Sequence, residues 1–472
     1  MGKTARLLQV FGPIVLTAAA LVPVPQDDRS DQSYQEIPLD GPAVQARTEP
    51  YAMVGVTWPA GVRDVTAKVR VEHDGRWTDW QPLQVDDDHG PDPSAPEATG
   101  REGTGRGGTE PLWVGNATGV QARVVTATGA VVPGARVVLI RPGVLSTDAE
   151  ADTGDLGGGV AATASRAPYP MPLMVSRKRW GADERLRAHS GADCVPPKYT
   201  TTVLAAFVHH TADRNDYSRT DVPAMVRAMY AYHVKSRGWC DLGYNFLVDR
   251  FGRVFEGRYG GAQLPVLGAH TASYNANSFG VAVIGNFEQT APPPAMLEAT
   301  ARVIAWKLDA NYRSPLGTVV LAGNSLHTVS GHRDTKPTAC PGTQLYKQLG
   351  WLKQRVNTLM GGSFSTPIYA AARKLGFRNI GQPFWGEHPT RTGWATYFST
   401  RDFFYSVASG THSTAGVFRT RFRRLGAGSA RLGLPITEAY QAPGGVRQKF
   451  QRGWLVWDRR DRQVHVVYGR AT

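Results

Sequence analysis

Thr202-Val203-Leu204-Ala205-Ala206-Phe207-Val208-His209-His210-Thr211-Ala212 is the stretch on which the fold turns. Residues 202–208 form a short apolar run of strand length, closed by a polar His-His-Thr. Residues 244–248 and 280–284 have the same character. Between them, Asp221 offers an N-cap and Pro223 falls in the first turn that follows. Val226, Met229, Tyr230 and His233 then recur at helical spacing. Residues 292–311 give a second amphipathic helix through Leu297, Ala301, Ile304 and Leu308. Strands interleaved with helices predict a central α/β domain over 169–360, a mixed sheet flanked by helices.

On the N-terminal side, Val65, Ala67, Val69 and Val71 alternate with Thr66, Lys68, Arg70 and Glu72, the period of a half-buried strand. Further strand signals lie at 76–80, 112–114, 120–126 and 136–141. They predict a sandwich-like all-β domain over 50–143. Residues 27–50 read as a polar, flexible leader, and 86–110, rich in Gly, Pro and acids, as a long mobile loop. No chemistry is evident in this domain. Its Trp residues suit core or edge packing better than a sugar-binding face. A Gly/Ala/Ser/Asp-rich linker occupies 144–168. On the C-terminal side, Ile380-Gly381-Gln382-Pro383 and Leu432-Gly433-Leu434-Pro435 stand 52 residues apart, as do Phe398 and Phe450, and Tyr405 and Trp457. Two copies of a β-rich unit are expected over 370–472. The fold class is therefore multidomain: all-β, then α/β, then a β-rich repeat module.

Charge is uneven. Residues 361–472 carry 17 Lys and Arg against five Asp and Glu, a net +12 of the chain's +14. Such a module favours an anionic surface by attraction that salt screens. No helix-turn-helix, zinc-knuckle or RRM signature points to nucleic acid. Residues 1–25 read as a signal peptide: Lys3 and Arg6, an apolar stretch, then Ala18-Ala19-Ala20. The stretch is also just long enough to remain as a membrane anchor. Export exposes the chain to oxidising conditions, so two of Cys194, Cys240 and Cys340 should pair.

Two segments carry candidate chemistry: 207–212 and Gly331-His332-Arg333-Asp334-Thr335-Lys336-Pro337-Thr338-Ala339-Cys340-Pro341-Gly342. Imidazole and thiolate are natural zinc donors, and a catalytic centre uses three protein ligands. A His and a Cys eight residues apart on a Pro/Gly-rich loop can curl onto one ion. Neither spacing is a standard zinc signature, and a strand-end histidine with a plain buried thiol fits the spacing as well.

A wider pattern narrows this choice. His209-His210-Thr211-Ala212, Asp241-Leu242-Gly243-Tyr244-Asn245-Phe246, Glu256-Gly257-Arg258, Gly268-Ala269-His270-Thr271 and Gly331-His332-Arg333-Asp334 with Cys340-Pro341-Gly342 occur in that order, after Ser176-Arg177 and Trp180-Gly181-Ala182. Over about 170–357 the chain resembles the peptidoglycan recognition protein and type 2 N-acetylmuramoyl-L-alanine amidase family. The resemblance implies Zn2+ held by His209, His332 and Cys340. It implies catalytic roles for Tyr244 and Thr338. Binding-only relatives typically lack the Cys, so an enzyme is expected, with a non-catalytic peptidoglycan-binding protein as the alternative. It leaves Cys194 and Cys240 as the disulfide.

The expected reaction is hydrolysis of the amide between the glycan lactyl group and the first Ala of the stem peptide. No His-Glu-x-x-His arrangement supplies the usual carboxylate base, so the general base stays open. His233, Trp239, Arg258, His270 and Asn275 are candidate substrate-binding residues. For His233 and Trp239 simple packing is an equal alternative, and for Arg258 a structural ion pair. His210 suits a local structural role. Asp334 suits a bond that steadies the ligand loop.

The C-terminal copies resemble LGFP repeats, loosely matched in both tetrapeptides, and imply retention at a cell wall. The expected partners are peptidoglycan and, through the basic repeats, anionic cell-envelope polymers, with no nucleic acid. A secreted or wall-bound monomer is expected. Residues 27–170 stand where they can shield the groove, and nothing in their sequence demonstrates it.

Overall fold

The structure is a computed structural model that describes residues 32–86, 89–99, 105–157, 167–189 and 191–469. The expected signal peptide, 1–25, lies outside the described residues. No helix among them is long and apolar enough to cross a membrane.

The N-terminal part is an eight-stranded sheet. Its long central strand, Ala43–Pro59, pairs antiparallel with Leu112–Thr126, Arg136–Arg141 and Arg106–Gly108. Strands begin earlier than the leader reading of 27–50 allows. Ser33–Pro38 pairs antiparallel with Arg136–Arg141. It is an edge strand, half-buried or exposed along its length, so its composition stays polar. Arg136–Arg141 shows how both faces of the sheet are used. Val137 and Leu139 join the domain's own core with Val54, Val56 and Trp58. Val138 and Ile140 face the other way, into a core shared with Met53, Trp113, Met225 and Met229. A strand buried on both faces needs apolar residues at consecutive positions. The first domain is thus packed on the second through a continuous apolar contact.

The central domain holds a six-stranded mixed sheet in the order Val329–Gly331, Ala205–His210, Ser278–Val283, Phe246–Val248, Val254–Glu256, Met174–Val175. The first four run parallel, and Phe246–Val248 pairs antiparallel with Val254–Glu256. Helix Val222–Ala231 packs on one face. Helices Pro294–Ala310 and Leu349–Leu359 pack on the other. Cys194 and Cys240 form a disulfide, and Cys340 is free and buried.

The C-terminal part contains two four-stranded antiparallel sheets, 383–415 and 440–468, joined by helix Gly416–Arg424. The 52-residue offset superposes them in sequence: Phe398 and Phe450 each end a strand, and Tyr405 and Trp457 sit in the strand that follows. The two sheets share a core through Phe404, Phe422, Leu434 and Phe450.

Glu387 is buried where this module meets the central domain. It accepts hydrogen bonds from Tyr312 and Thr366, each at 2.6 Å. Burial pushes its carboxyl up to about 7. The folded chain therefore keeps a proton that the unfolded chain releases near the ordinary glutamate value. Stability present at acid pH is lost as pH rises through that window. At about 1.4 kcal/mol per pKa unit, the loss is on the order of 3 kcal/mol. Glu387→Gln should flatten the fall in melting temperature between pH 5 and pH 8. Equal slopes in variant and wild type would show that Glu387 does not set it.

Candidate active site

The site grows from the end of strand Ala205–His210. His209 and His210 are its last residues, and both are fully buried. The parallel neighbour Val329–Gly331 ends alongside and delivers His332 into a tight turn. The turn is braced from within. Gly331 N–H donates to Asp334 Oδ2 at 2.8 Å, the Thr335 hydroxyl to the His332 carbonyl at 2.8 Å, and Arg333 N–H to the Cys340 carbonyl at 3.1 Å. Tyr346 OH donates to Asp334. These bonds return Cys340 to the strand end, with its Sγ 3.7 Å from His209 Nδ1. Asp334 thus braces the loop and does not face the cluster.

His209, His332 and Cys340 converge with a fourth residue, His89, and their ligand atoms all lie within 4.8 Å of one another. The donor set, three imidazoles and one thiol, suits zinc. Both ring nitrogens of His332 are buried without a hydrogen-bond partner, which is costly unless something else binds them. Burial, reinforced by the neighbouring histidines, holds His209 well below the ordinary imidazole value. Burial does the same to His332. Neutral rings are what a metal requires, whereas burial at His89 is overcome by Asp86 and Glu110, which hold its ring above the ordinary imidazole value, so a metal there displaces a proton. His209 Nε2 faces His270 Nδ1 at 3.1 Å, so His270 stands behind His209 and fixes its ring.

Tyr244 lies against this cluster, its ring centroid 5.4 Å from His209. Its hydroxyl donates to Glu110 Oε1 at 3.1 Å. Burial, then the Glu110 charge, raises the Tyr244 hydroxyl well above its ordinary value, so it remains a proton donor. Thr338 is half-buried on the ligand loop and accepts from Cys340 N–H at 3.3 Å. His233 lies against Trp239, ring centroids 4.5 Å apart and tilted by 34°, and accepts from Gly243 N–H at 3.3 Å. His210 is a local brace: Phe287 N–H donates to its Nδ1 at 3.2 Å, and its Nε2 faces Gln84 Oε1 at 3.1 Å. Asn275 Oδ1 accepts from His270 N–H at 2.8 Å and Thr271 N–H at 3.0 Å.

Of the stretch read as a mobile loop, 86–110, the described residues 86, 89–99 and 105–110 pack into this site. Asp86, His89, Thr109 and Glu110 are buried. His89 Nε2 sits 3.1 Å from His209 Nδ1, while its Nδ1 meets Asp86 at 2.5 Å and Glu110 at 3.0 Å. Arg237 of the central domain pairs with the Asp86 carboxylate and donates to the Asp86 carbonyl at 2.8 Å. Glu97 forms a two-oxygen contact with Arg258 at 2.6 and 2.7 Å. Besides their contacts with one another, Asp86, His89, Glu97 and Glu110 meet Arg237, His209, Arg258 and Tyr244, each more than 100 residues downstream. Asp-rich and Gly/Pro-rich sequence gives no local sign of them.

Three family models match separate parts of the chain. The model for N-acetylmuramoyl-L-alanine amidase covers 199–343. One described as Rv3811 N-terminal galactose-binding domain-like covers 19–153, and the LGFP repeat covers 432–471. Peptidoglycan-recognition protein SC1a/b of Drosophila simulans is 35% identical over 147 residues, which are 31% of this chain and 72% of that protein. Peptidoglycan recognition protein 1 of Bos taurus is 33% identical over 180 residues, 37% of this chain and 80% of that one. Among solved structures, Drosophila PGRP-LB aligns at 28% identity and a TM-score of 0.30, over 38% of this chain and 92% of that chain. With 72% and 80% of the Drosophila simulans and Bos taurus proteins matched at 35% and 33% identity, and with the amidase and LGFP models in the same chain, the protein belongs to the peptidoglycan recognition protein and type 2 amidase family and carries a C-terminal LGFP repeat.

Proposed function

We propose that this chain is an exported, zinc-dependent N-acetylmuramoyl-L-alanine amidase that hydrolyses the lactyl–L-Ala amide of peptidoglycan. The observation that carries the reading is the convergence of His209, His332 and Cys340 at one strand end, with Tyr244 packed against them. A zinc ion held by these three supplies Lewis acidity toward the scissile carbonyl and makes water a competent nucleophile near neutral pH.

The chain's own residues supply the rest. His270 orients the His209 ring. Tyr244, kept protonated by burial, donates to the oxyanion that develops on the carbonyl oxygen. Thr338 steadies the Cys340 backbone and offers a second hydroxyl at the ligand loop. Arg258 presents a planar fork to a stem-peptide carboxylate. His233 and Trp239 form the adjoining wall, and Asn275, which braces the His270 backbone, is a further substrate contact once its amide is released from Gly90 and Asp92. The +12 C-terminal module holds the enzyme at the anionic wall.

Mass analysis of peptidoglycan digests tests this, using the full chain and its His89→Ala variant, each with and without a zinc chelator. The expected products are free stem peptides beginning with Ala, lost on chelation and restored by zinc. Polymer binding with no release from either zinc-loaded protein would leave recognition without catalysis as the function.

A further inference from the structure

His89 belongs to the first domain, yet it sits in the metal cluster of the second. Its Nε2 faces His209 Nδ1 at 3.1 Å, its ring centroid is 4.3 Å from that of His332, and it is buried. Four ligands arranged tetrahedrally at zinc-ligand bond lengths are separated by roughly 3.2–3.7 Å. The 3.1 Å and 3.7 Å separations about His209 Nδ1 lie close to that range. The far side of the His89 ring is built as a metal ligand's usually is. Its Nδ1 meets two carboxylates, Asp86 and Glu110, and a carboxylate behind a ligating histidine fixes the ring and its tautomer. Asp86 is itself pinned by Arg237, and His89 N–H donates to Asp86 Oδ1 at 3.0 Å.

The rest of the segment lies along the groove. Gly90 N–H donates to the Ala269 carbonyl at 3.2 Å. Asn275 Nδ2 donates to the Gly90 carbonyl at 2.9 Å and to Asp92 at 2.7 Å. Gly90 lies against Trp239, where a Cβ would stand 3.5 Å from the indole. The Glu97 carboxylate occupies Arg258 and also accepts from Cys240 N–H at 3.0 Å. Glu110 occupies the Tyr244 hydroxyl. Groups proposed for substrate and oxyanion are thus already engaged, by an acidic segment that offers carboxylates as a stem peptide does.

Resting on the zinc reading above, we propose that His89 is a fourth protein ligand to the metal. It takes the position that a catalytic centre leaves for water, and the segment 89–97, together with Glu110, fills the substrate groove. Four protein ligands make the closed shell of a structural site. The chain as folded is then a latent amidase, and turnover requires this segment to withdraw.

The full chain loaded with cobalt(II) and titrated with azide tests this. The expected wild-type absorption spectrum is that of a four-coordinate, thiolate-bearing site, and azide leaves it unchanged. His89→Ala should bind cobalt, respond to azide, and with zinc release stem peptides at least about tenfold faster, because the competent fraction rises. A wild-type spectrum that shifts with azide would overturn the proposal, and it decides the matter even if the variant fails to fold. Slower release by a folded, metal-loaded His89→Ala would overturn it too, by making His89 a catalytic group. A folded wild type that takes up neither cobalt nor zinc would instead sink the zinc reading itself.

Discussion

Adding Cys340→Ala to the His89→Ala chain should remove stoichiometric zinc on dialysis and lower stem-peptide release by about a thousandfold. Two imidazoles then remain where three protein ligands are needed. Lost Lewis acidity costs several kcal/mol, and each 1.36 kcal/mol is about tenfold in rate. Cys340→Ala alone should behave differently. It leaves His89, His209 and His332 around the ion, so the single variant should retain more zinc than the double. Cys340 is fully buried and its replacement is small, so melting curves separate metal loss from unfolding. Unchanged zinc content and release in the double variant would remove Cys340 from the centre.

Tyr244→Phe, made in the same His89→Ala chain, should keep its zinc and lose about 10^2–10^3-fold in kcat, the usual cost of one oxyanion donor. The ring remains to pack against His209 and His233, at 5.4 and 6.0 Å. Only the hydroxyl that now meets Glu110 is gone. A loss confined to KM would point to substrate contact, and full kcat would refute the role. Metal analysis of the same preparation keeps the two effects apart.

The convergence of His209, His332 and Cys340 has a local basis in the sequence. His209 ends an apolar strand, and His332 to Cys340 is one short loop braced by its own backbone bonds. Short-range structure of this kind leaves a motif. The mixed sheet was readable for the same reason, since Ala205–His210 and Ser278–Val283 are each mostly apolar and buried along their length. His89 left no motif. It sits among Asp86, Gly90 and Pro91, composition that ordinarily means solvent, and the rings it is buried against, His209, Tyr244 and His332, lie 120 or more residues away. The edge strand Ser33–Pro38 was hidden likewise, because its partner lies about 100 residues away. The polar alternation that made it look like a leader is that of a half-exposed edge. His270 was expected at the groove. It is fully buried behind His209, where its contact is with a proposed ligand.

The most direct test of the amidase reading is chemical labelling of the amino termini that appear in purified peptidoglycan during incubation with zinc-loaded protein. Alanine alone should gain free amino termini, faster with His89→Ala than with wild type, and not at all after chelation. New termini on any other residue, or none from either protein while both remain bound to the polymer, would contradict it.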